Sequence, residues 1–412
     1  MSATARVLLG LASGALVGLL LAAWDPVRAG QVAYAVQPIG TLWLHALQMT
    51  VVPLVLALVV VGVNTATDAA ASGRVARRAI VAFIVLLTGG ALFTALVAPV
   101  VFGWFSPDRA LRATLDMAAI PTAAQAAPLS WVGALTAIIP SNAFMAAAQS
   151  AMLPLVVFAL FLGFALTRIA PARRALLLEF FQGLADAMIV VVRWVLWAAP
   201  LGVFALILAV CARSGLGMLS ALGVYVLVEC LLYLAVTAML FPVAMLWGRE
   251  KLRRFAAALV PAQVVAISTQ SSLASLPAML ESADRRLAYP QQVTALVLPM
   301  AVTLFRLTSP VQYITSAAFI AWAYGIDLGG AQLLGGALLA VVISLGSVGL
   351  PGQVTFIATN LPVAQAMGLP ISPLGLMLAV DTIPDTLATL GNVTADMTAT
   401  SIVVRQSRRD TT

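Results

Sequence analysis

Long apolar runs separated by short polar turns fill the first 250 residues. They fall near 5–24, 41–65, 79–104, 149–170, 187–212 and 218–247, and a helix needs about 20 residues to cross the hydrocarbon of a bilayer. Hydrocarbon offers backbone groups no partner, so runs of this length rich in Leu, Ala and Val predict helices rather than the short alternating strands of a barrel. The first run begins a series of similar spans and lacks a small-residue cleavage site ahead of a soluble domain, so it reads as a retained helix rather than a signal peptide. One long, polar, Pro-containing connection, 105–148, interrupts the series.

Beyond residue 250 the pattern breaks. Residues 255–289 contain "AISTQSSLASLPAMLESADRR", where Ser, Thr, Gln and Pro277 interrupt an apolar start. Residues 329–367 contain "LLAVVISLGSVGLPGQVTFIATNL", interrupted by Gly346, Gly349, Pro351 and Gly352. Each segment can enter a membrane and return, but each half is too short to cross, so both read as re-entrant hairpins. A long helix follows each, 293–324 and 371–404. Interrupted segments at corresponding places point to inverted repeats with a transport site near the midplane. The expectation is an all-α polytopic membrane protein with eight transmembrane helices and two re-entrant helical hairpins.

Composition agrees: 62% of residues are hydrophobic and 9% charged, against about a quarter charged in soluble domains. The net charge of +7 does not point to nucleic acid, because the basic residues follow topology. Arg6, Arg74/Arg77/Arg78, Arg168/Arg173/Arg174, Arg249/Lys251/Arg253/Arg254, Arg285/Arg286 and Arg405/Arg408/Arg409 fall in alternate loops, whereas the intervening loops hold only Arg28, Arg109, Arg112 and Arg213. That asymmetry predicts cytoplasmic termini in a cell inner membrane. Cys211 and Cys230 lie in or beside apolar runs and read as small buried hydrophobes.

The last helix carries Asp381, Asp385 and Asp396, with Thr389 and Asn392 between them. Spacings of three and four put these polar groups on roughly one side, and a carboxylate at the bilayer centre costs at least about 2.5 kcal/mol. Capping explains one of the three; the others imply a functional interior. Pro384 predicts a kink that frees a carbonyl. Arg306 is a second buried charge, either an ion-pair partner for an Asp or a cation that holds a substrate carboxylate. Arg193 and Glu229 read as structural or interfacial.

The chain resembles the dicarboxylate/amino-acid:cation symporters, the family of glutamate and aspartate transporters. The resemblance runs through "QMTVVPLVLALVVVGVNT", "IIPSNAFMAAAQSAMLPLVVFALFLGFAL", "WAAPLGVFALI", the Ser-rich hairpin, the Gly-Pro-Gly hairpin and "DxxxDxxxTxxNxxxD". It implies a homotrimer in which a scaffold, about 1–70 and 125–215, holds a transport part, about 73–104 and 216–404, that moves like an elevator. It implies substrate between the hairpin tips, with Ser271, Ser272, Asn392 and the tip amides around Gly349, Pro351 and Gly352 holding an α-carboxylate and Thr389 nearby. Asp385 matches the ligand of an α-ammonium. Asp396 matches the side chain of one sodium site, completed by backbone oxygens near Ala301, Phe305 and Asn392. A second sodium site would use carbonyls of Thr303, Ser344, Leu345 and Ser347. No cofactor is expected beyond sodium or protons as coupling ions.

Two departures matter. The family's Asn-Met-Asp-Gly-Thr motif is replaced by Phe305-Arg306-Leu307-Thr308-Ser309, and Gly89 stands beside Thr88 where the family has Ser, so a third sodium site lacks oxygen ligands. Ala388 stands where acidic-substrate members carry a clamping arginine, and Gln270 where many have a hairpin arginine. Keeping Asp385 while losing the clamp favours a neutral amino acid. A C4-dicarboxylate or acidic amino acid held by Arg306 is the alternative, and an uncoupled anion channel or an intramembrane serine hydrolase is more remote. The only histidine, His45, leaves a serine triad without an evident third member.

Overall fold

The computed structural model describes residues 3–71, 73–105, 139–149, 151–214, 217–346 and 352–408. All regular secondary structure among them is helical: α1 Ala3–Trp24, α2 Pro26–Gln48, α3 Val51–Ala71, α4 Arg74–Phe102, α5 Ala143–Ala148, α6 Met152–Leu166, α7 Pro171–Trp197 and α8 Ala199–Ser214. Then follow α9 Gly217–Val243 with a π turn Ala244–Gly248, α10 Leu252–Thr269, α11 Ser272–Arg285, α12 Gln291–Leu304, α13 Thr308–Tyr324, α14 Gly330–Gly346, α15 Gly352–Ala366, α16 Leu374–Val380 and α17 Thr382–Arg408.

Five stretches, Pro26–Asp68, Arg74–Phe102, Pro171–Trp197, Ser220–Gly248 and Gln291–Tyr324, are long and apolar enough to cross a membrane, and the bent pair α16–α17 makes a sixth. This is a membrane-protein architecture. The helix boundaries differ from the apolar runs. Run 41–65 crosses the gap between α2 and α3, run 187–212 crosses the gap between α7 and α8, and the long helix anticipated at 293–324 is broken at Phe305-Arg306-Leu307. Proline explains each difference. Pro53, Pro200 and Pro310 are the third, second and third residues of α3, α8 and α13, where a missing N–H is tolerated in a first turn and forbids continuation from the preceding helix. Pro384 is likewise the third residue of α17. The bend of 72° that separates α16 from α17 therefore sits at Asp381 rather than at the proline itself, because Pro384 removes the donor for the Val380 carbonyl.

At the two interrupted segments the helices come in packed pairs. α10 and α11 pack on each other, as do α14 and α15. The first turns at Gln270, which adopts a left-handed φ of +51°, and Ser271, whose hydroxyl oxygen caps α11 by accepting from Ala274 N–H at 3.2 Å. Between α14 and α15 the described residues stop at Gly346 and resume at Gly352. Ser347, Gly349 and Pro351 therefore lie outside the described residues, as does most of the connection anticipated at 105–148, while Gly352 opens α15.

At the other end of the chain, α1 lies along α8. A Cβ on Gly14 would stand 2.6 Å from the Phe204 carbonyl oxygen and one on Gly18 2.8 Å from that of Leu208. The two backbones meet without side chains between them, the small-residue contact by which helices associate in lipid. Gly14→Leu should therefore cost about 1–3 kcal/mol through overpacking, read as a lower unfolding temperature in detergent; an unchanged temperature would show that the seam has slack.

Candidate functional site

The two breaks, 305–307 and Asp381, come together with α9 to build a polar interior. At the first break Phe305 is extended, with φ −122° and ψ 100°. The N–H of Thr308 would otherwise be an unpaired helix start, and it donates to Asn392 Oδ1 at 3.0 Å. The Thr308 hydroxyl donates to the Ala388 carbonyl at 3.3 Å. Pro310 has no N–H to give the Arg306 carbonyl, which accepts instead from Ser309 N–H at 3.0 Å and from Ser344 Oγ of α14 at 3.2 Å. Second-hairpin and last-helix side chains thus close the break.

A small polar cavity opens beside it, lined by Tyr233, Arg306, Thr308, Ser309, Gln312, Tyr313, Asp385 and Ala388. Arg306, Asp385 and Ala388 therefore share one space. The Arg306 charge also acts on Asp381 and Asp396. Above the cavity, Gln270 Nε2 reaches from the first hairpin to Thr386 Oγ1 at 2.7 Å, which sets Ser271 and Ser272 beside the first turn of α17. Thr389 is buried, with its hydroxyl donating to the Asp385 carbonyl at 2.9 Å. Neither Ser272 nor Thr389 lines the cavity.

Asp396 lies one turn beyond Asn392, fully buried, and neither carboxylate oxygen has a hydrogen-bond partner. A buried charge of that kind is costly unless paired or bound to a cation, so it is a ready anchor for one. Ala301 is buried and its carbonyl accepts from Phe305 N–H at 2.8 Å. Thr303 faces outward and its hydroxyl bonds its own helix at Pro299, 2.9 Å away; only its carbonyl remains as a ligand. Ser344 is buried and Leu345 half-buried.

Around Phe305 and Leu307, where the resemblance implies a third sodium site without its oxygen ligands, the contacts are apolar. Phe305 stacks on Phe83 of α4, with ring centroids 4.7 Å apart and planes at 6°, and Leu307 packs on Gly90.

Sequence reasoning missed the α9 contribution. Glu229 is fully buried, accepts from Tyr233 Oη at 3.0 Å, and acts electrostatically on Asp381. Gln312 Nε2 donates to Asp381 Oδ1 at 2.6 Å. The available signal was the Tyr225–Glu229–Tyr233 spacing of four, one polar line on an otherwise apolar helix.

An all-helical membrane bundle with two hairpins and a charged interior at paired helix breaks is the build of a transporter. The chain belongs to the sodium:dicarboxylate symporter family, whose sequence profile matches residues 3–406. It is 30% identical over 408 residues to the proton/glutamate-aspartate symporter of Escherichia coli (strain K12), covering 97% of this chain and 92% of that one. It is 29% identical over 404 residues to the proton/sodium-glutamate symport protein of Bacillus caldotenax, covering 97% and 93%. It is also 30% identical over 426 residues to the neutral amino acid transporter B(0) of Oryctolagus cuniculus, covering 95% and 76%.

Gln270→Ala should free the hairpin tip from α17. One hydrogen bond contributes about 0.5–1.5 kcal/mol net, so amide exchange near residues 270–274 should quicken severalfold; unchanged exchange would show that the bond does not hold the tip.

Proposed function

We propose that this chain is a secondary active symporter that couples uptake of a small amino acid, neutral in its side chain, to sodium or proton influx. The family membership and relatives named as glutamate symporters and neutral amino acid transporters support cation-coupled transport of amino acids or dicarboxylates rather than catalysis. The observation that carries the finer reading is the cavity where Asp385 stands beside Ala388: a carboxylate for the substrate ammonium next to a methyl group where a side-chain carboxylate would need a donor pair.

In this reading the protein sits in the inner membrane with both termini cytoplasmic, as eight transmembrane helices and two re-entrant hairpins. It forms a homotrimer through the scaffold part, while the transport part, about 73–104 and 216–404, carries substrate in an elevator motion. Asp396 anchors one sodium ion, with backbone oxygens near Ala301, Phe305 and Asn392. Carbonyls of Thr303, Ser344, Leu345 and Ser347 form the second site, and no third sodium binds beside Phe305 and Leu307. The tip residues Ser271, Ser272, Gly349, Pro351 and Gly352 hold the substrate carboxylate, with Thr389 and Asn392 below.

One observation favours a second reading. Arg306 lines the same cavity as Asp385, so an acidic amino acid or C4-dicarboxylate would find its clamp there instead of at position 388.

Purified protein in liposomes under imposed inward sodium or proton gradients distinguishes them, with labelled alanine, serine, aspartate and succinate as probes. Accumulation of alanine or serine is expected. Accumulation of aspartate or succinate alone, abolished by Arg306→Met, would transfer the assignment to the second reading. Asp385→Asn should raise the half-saturating concentration of an amino acid about tenfold to a hundredfold, the scale of a lost hydrogen bond to a charged group. An unaffected value removes Asp385 from the site. A sodium titration should give fewer than three ions per substrate; three would overturn the loss of the third site.

A further inference from the structure

The symporter reading leaves Glu229 without a role. It is one of two carboxylates buried in the same place, with Asp381 at the bend between α16 and α17. Both are 0% exposed. Each is half satisfied in the same way: Tyr233 Oη donates to Glu229 Oε1 at 3.0 Å, Gln312 Nε2 donates to Asp381 Oδ1 at 2.6 Å, and the second oxygens, Glu229 Oε2 and Asp381 Oδ2, are buried with no hydrogen-bond partner. Gln312 lies against both residues, so the two carboxyl groups converge on one side chain.

The groups facing the pair come from every side. α9 supplies Tyr225, Tyr233 and Cys230; Asp385 approaches from the first turn of α17, and Arg306 from the break before α13. Tyr225 is itself in contact with Ser316 of α13, 3.3 Å between hydroxyls. Counting formal charge, Glu229, Asp381 and Asp385 set three carboxylates against the single guanidinium among these groups. Two ionised carboxylates in low dielectric cannot both persist so close to a third. One proton removes one of the charges and turns one of these acceptor-only groups into a donor.

We propose that Glu229 and Asp381 share one exchangeable proton, and that this pair is the site through which a proton gradient drives transport. The geometry also supplies the link to substrate. Asp385 N–H donates to the Asp381 carbonyl at 3.0 Å, and Gln312, bonded to Asp381, lines the cavity that holds Asp385 and Arg306. Losing the proton repels Asp385 and pulls on Gln312; gaining it relaxes both. Nothing is oxidised or reduced: the proton enters with substrate from one side and leaves on the other.

The inference rests on the symporter reading, and one experiment separates the two. Proteoliposomes of the full chain, the Glu229→Gln variant and the Asp381→Asn variant are assayed with whichever of alanine, serine, aspartate or succinate the unaltered protein accumulates. Three readouts are taken: accumulation under an imposed pH gradient, accumulation under a sodium gradient, and exchange of substrate at equal pH on both sides. Glutamine at 229 mimics the protonated state, so exchange should persist within about twofold while pH-driven accumulation falls at least tenfold. Asp381→Asn should do the same, which covers the case in which one variant fails to assemble. Retention of pH-driven accumulation by either well-assembled variant overturns the proton site. So does an unaltered protein that accumulates substrate on sodium alone and ignores the pH gradient, with the symporter reading intact. No accumulation by the unaltered protein under any gradient overturns the symporter reading itself.

Discussion

Inside hydrocarbon a helix that stops must hand its backbone groups to something else, and the interior of this protein is organised around two such stops. Pro310 offers the Arg306 carbonyl no N–H, and that oxygen is shared between Ser309 N–H and the Ser344 hydroxyl. The start of α13 would expose the Thr308 N–H, and Asn392 takes that. At the second stop, created by Pro384, the Asp381 carbonyl accepts from Asp385 N–H while Gln312 from α13 bonds the Asp381 carboxylate. The partners come from α14, α17 and α13, so the breaks brace one another. Any movement that opens one must find new partners for the other.

Much of this was legible in the sequence, and the reason is the strength of the constraint. Apolar runs and a sparse charge inventory give the membrane class, and the Ser/Gln tract gives the break between α10 and α11 at Gln270 and Ser271. The buried carboxylates of the last helix stood out because charge is so costly there. Helix boundaries were less legible, since hydropathy reports burial rather than backbone continuity. The runs at 41–65 and 187–212 pass through chain breaks that only Pro53 and Pro200 betray, and the break at 305–307 is marked by Pro310 rather than by any polar residue beyond Arg306. Glu229 was undervalued because its meaning depends on what faces it. A lone acid in α9 is ambiguous until Asp381 and Gln312 are brought across from segments that lie 152 and 83 positions away.

The replacement of polar residues at 305 and 307 changes how α4 is joined to the break. Oxygen ligands on either side would leave that junction dependent on a cation. Here a ring stack between Phe83 and Phe305 and the close fit of Leu307 on Gly90 join α4 to the break through apolar contact, held by dispersion, with Arg306 between those two residues.

Five arginines at one end of the bundle reach main-chain oxygens in other segments. Arg78 bonds the Gln406 carbonyl, Arg405 those of Leu246 and Trp247, Arg408 that of Ala288, Arg286 that of Ala257 and Arg254 that of Arg286. A carbonyl is the same whatever side chain sits beside it. The partner positions are therefore free to drift over evolutionary time without loosening the joint, and each arginine can persist with no compensating change opposite. A substitution at any of those carbonyl positions leaves the bond itself in place, a tolerance that a pairing between two side chains does not have.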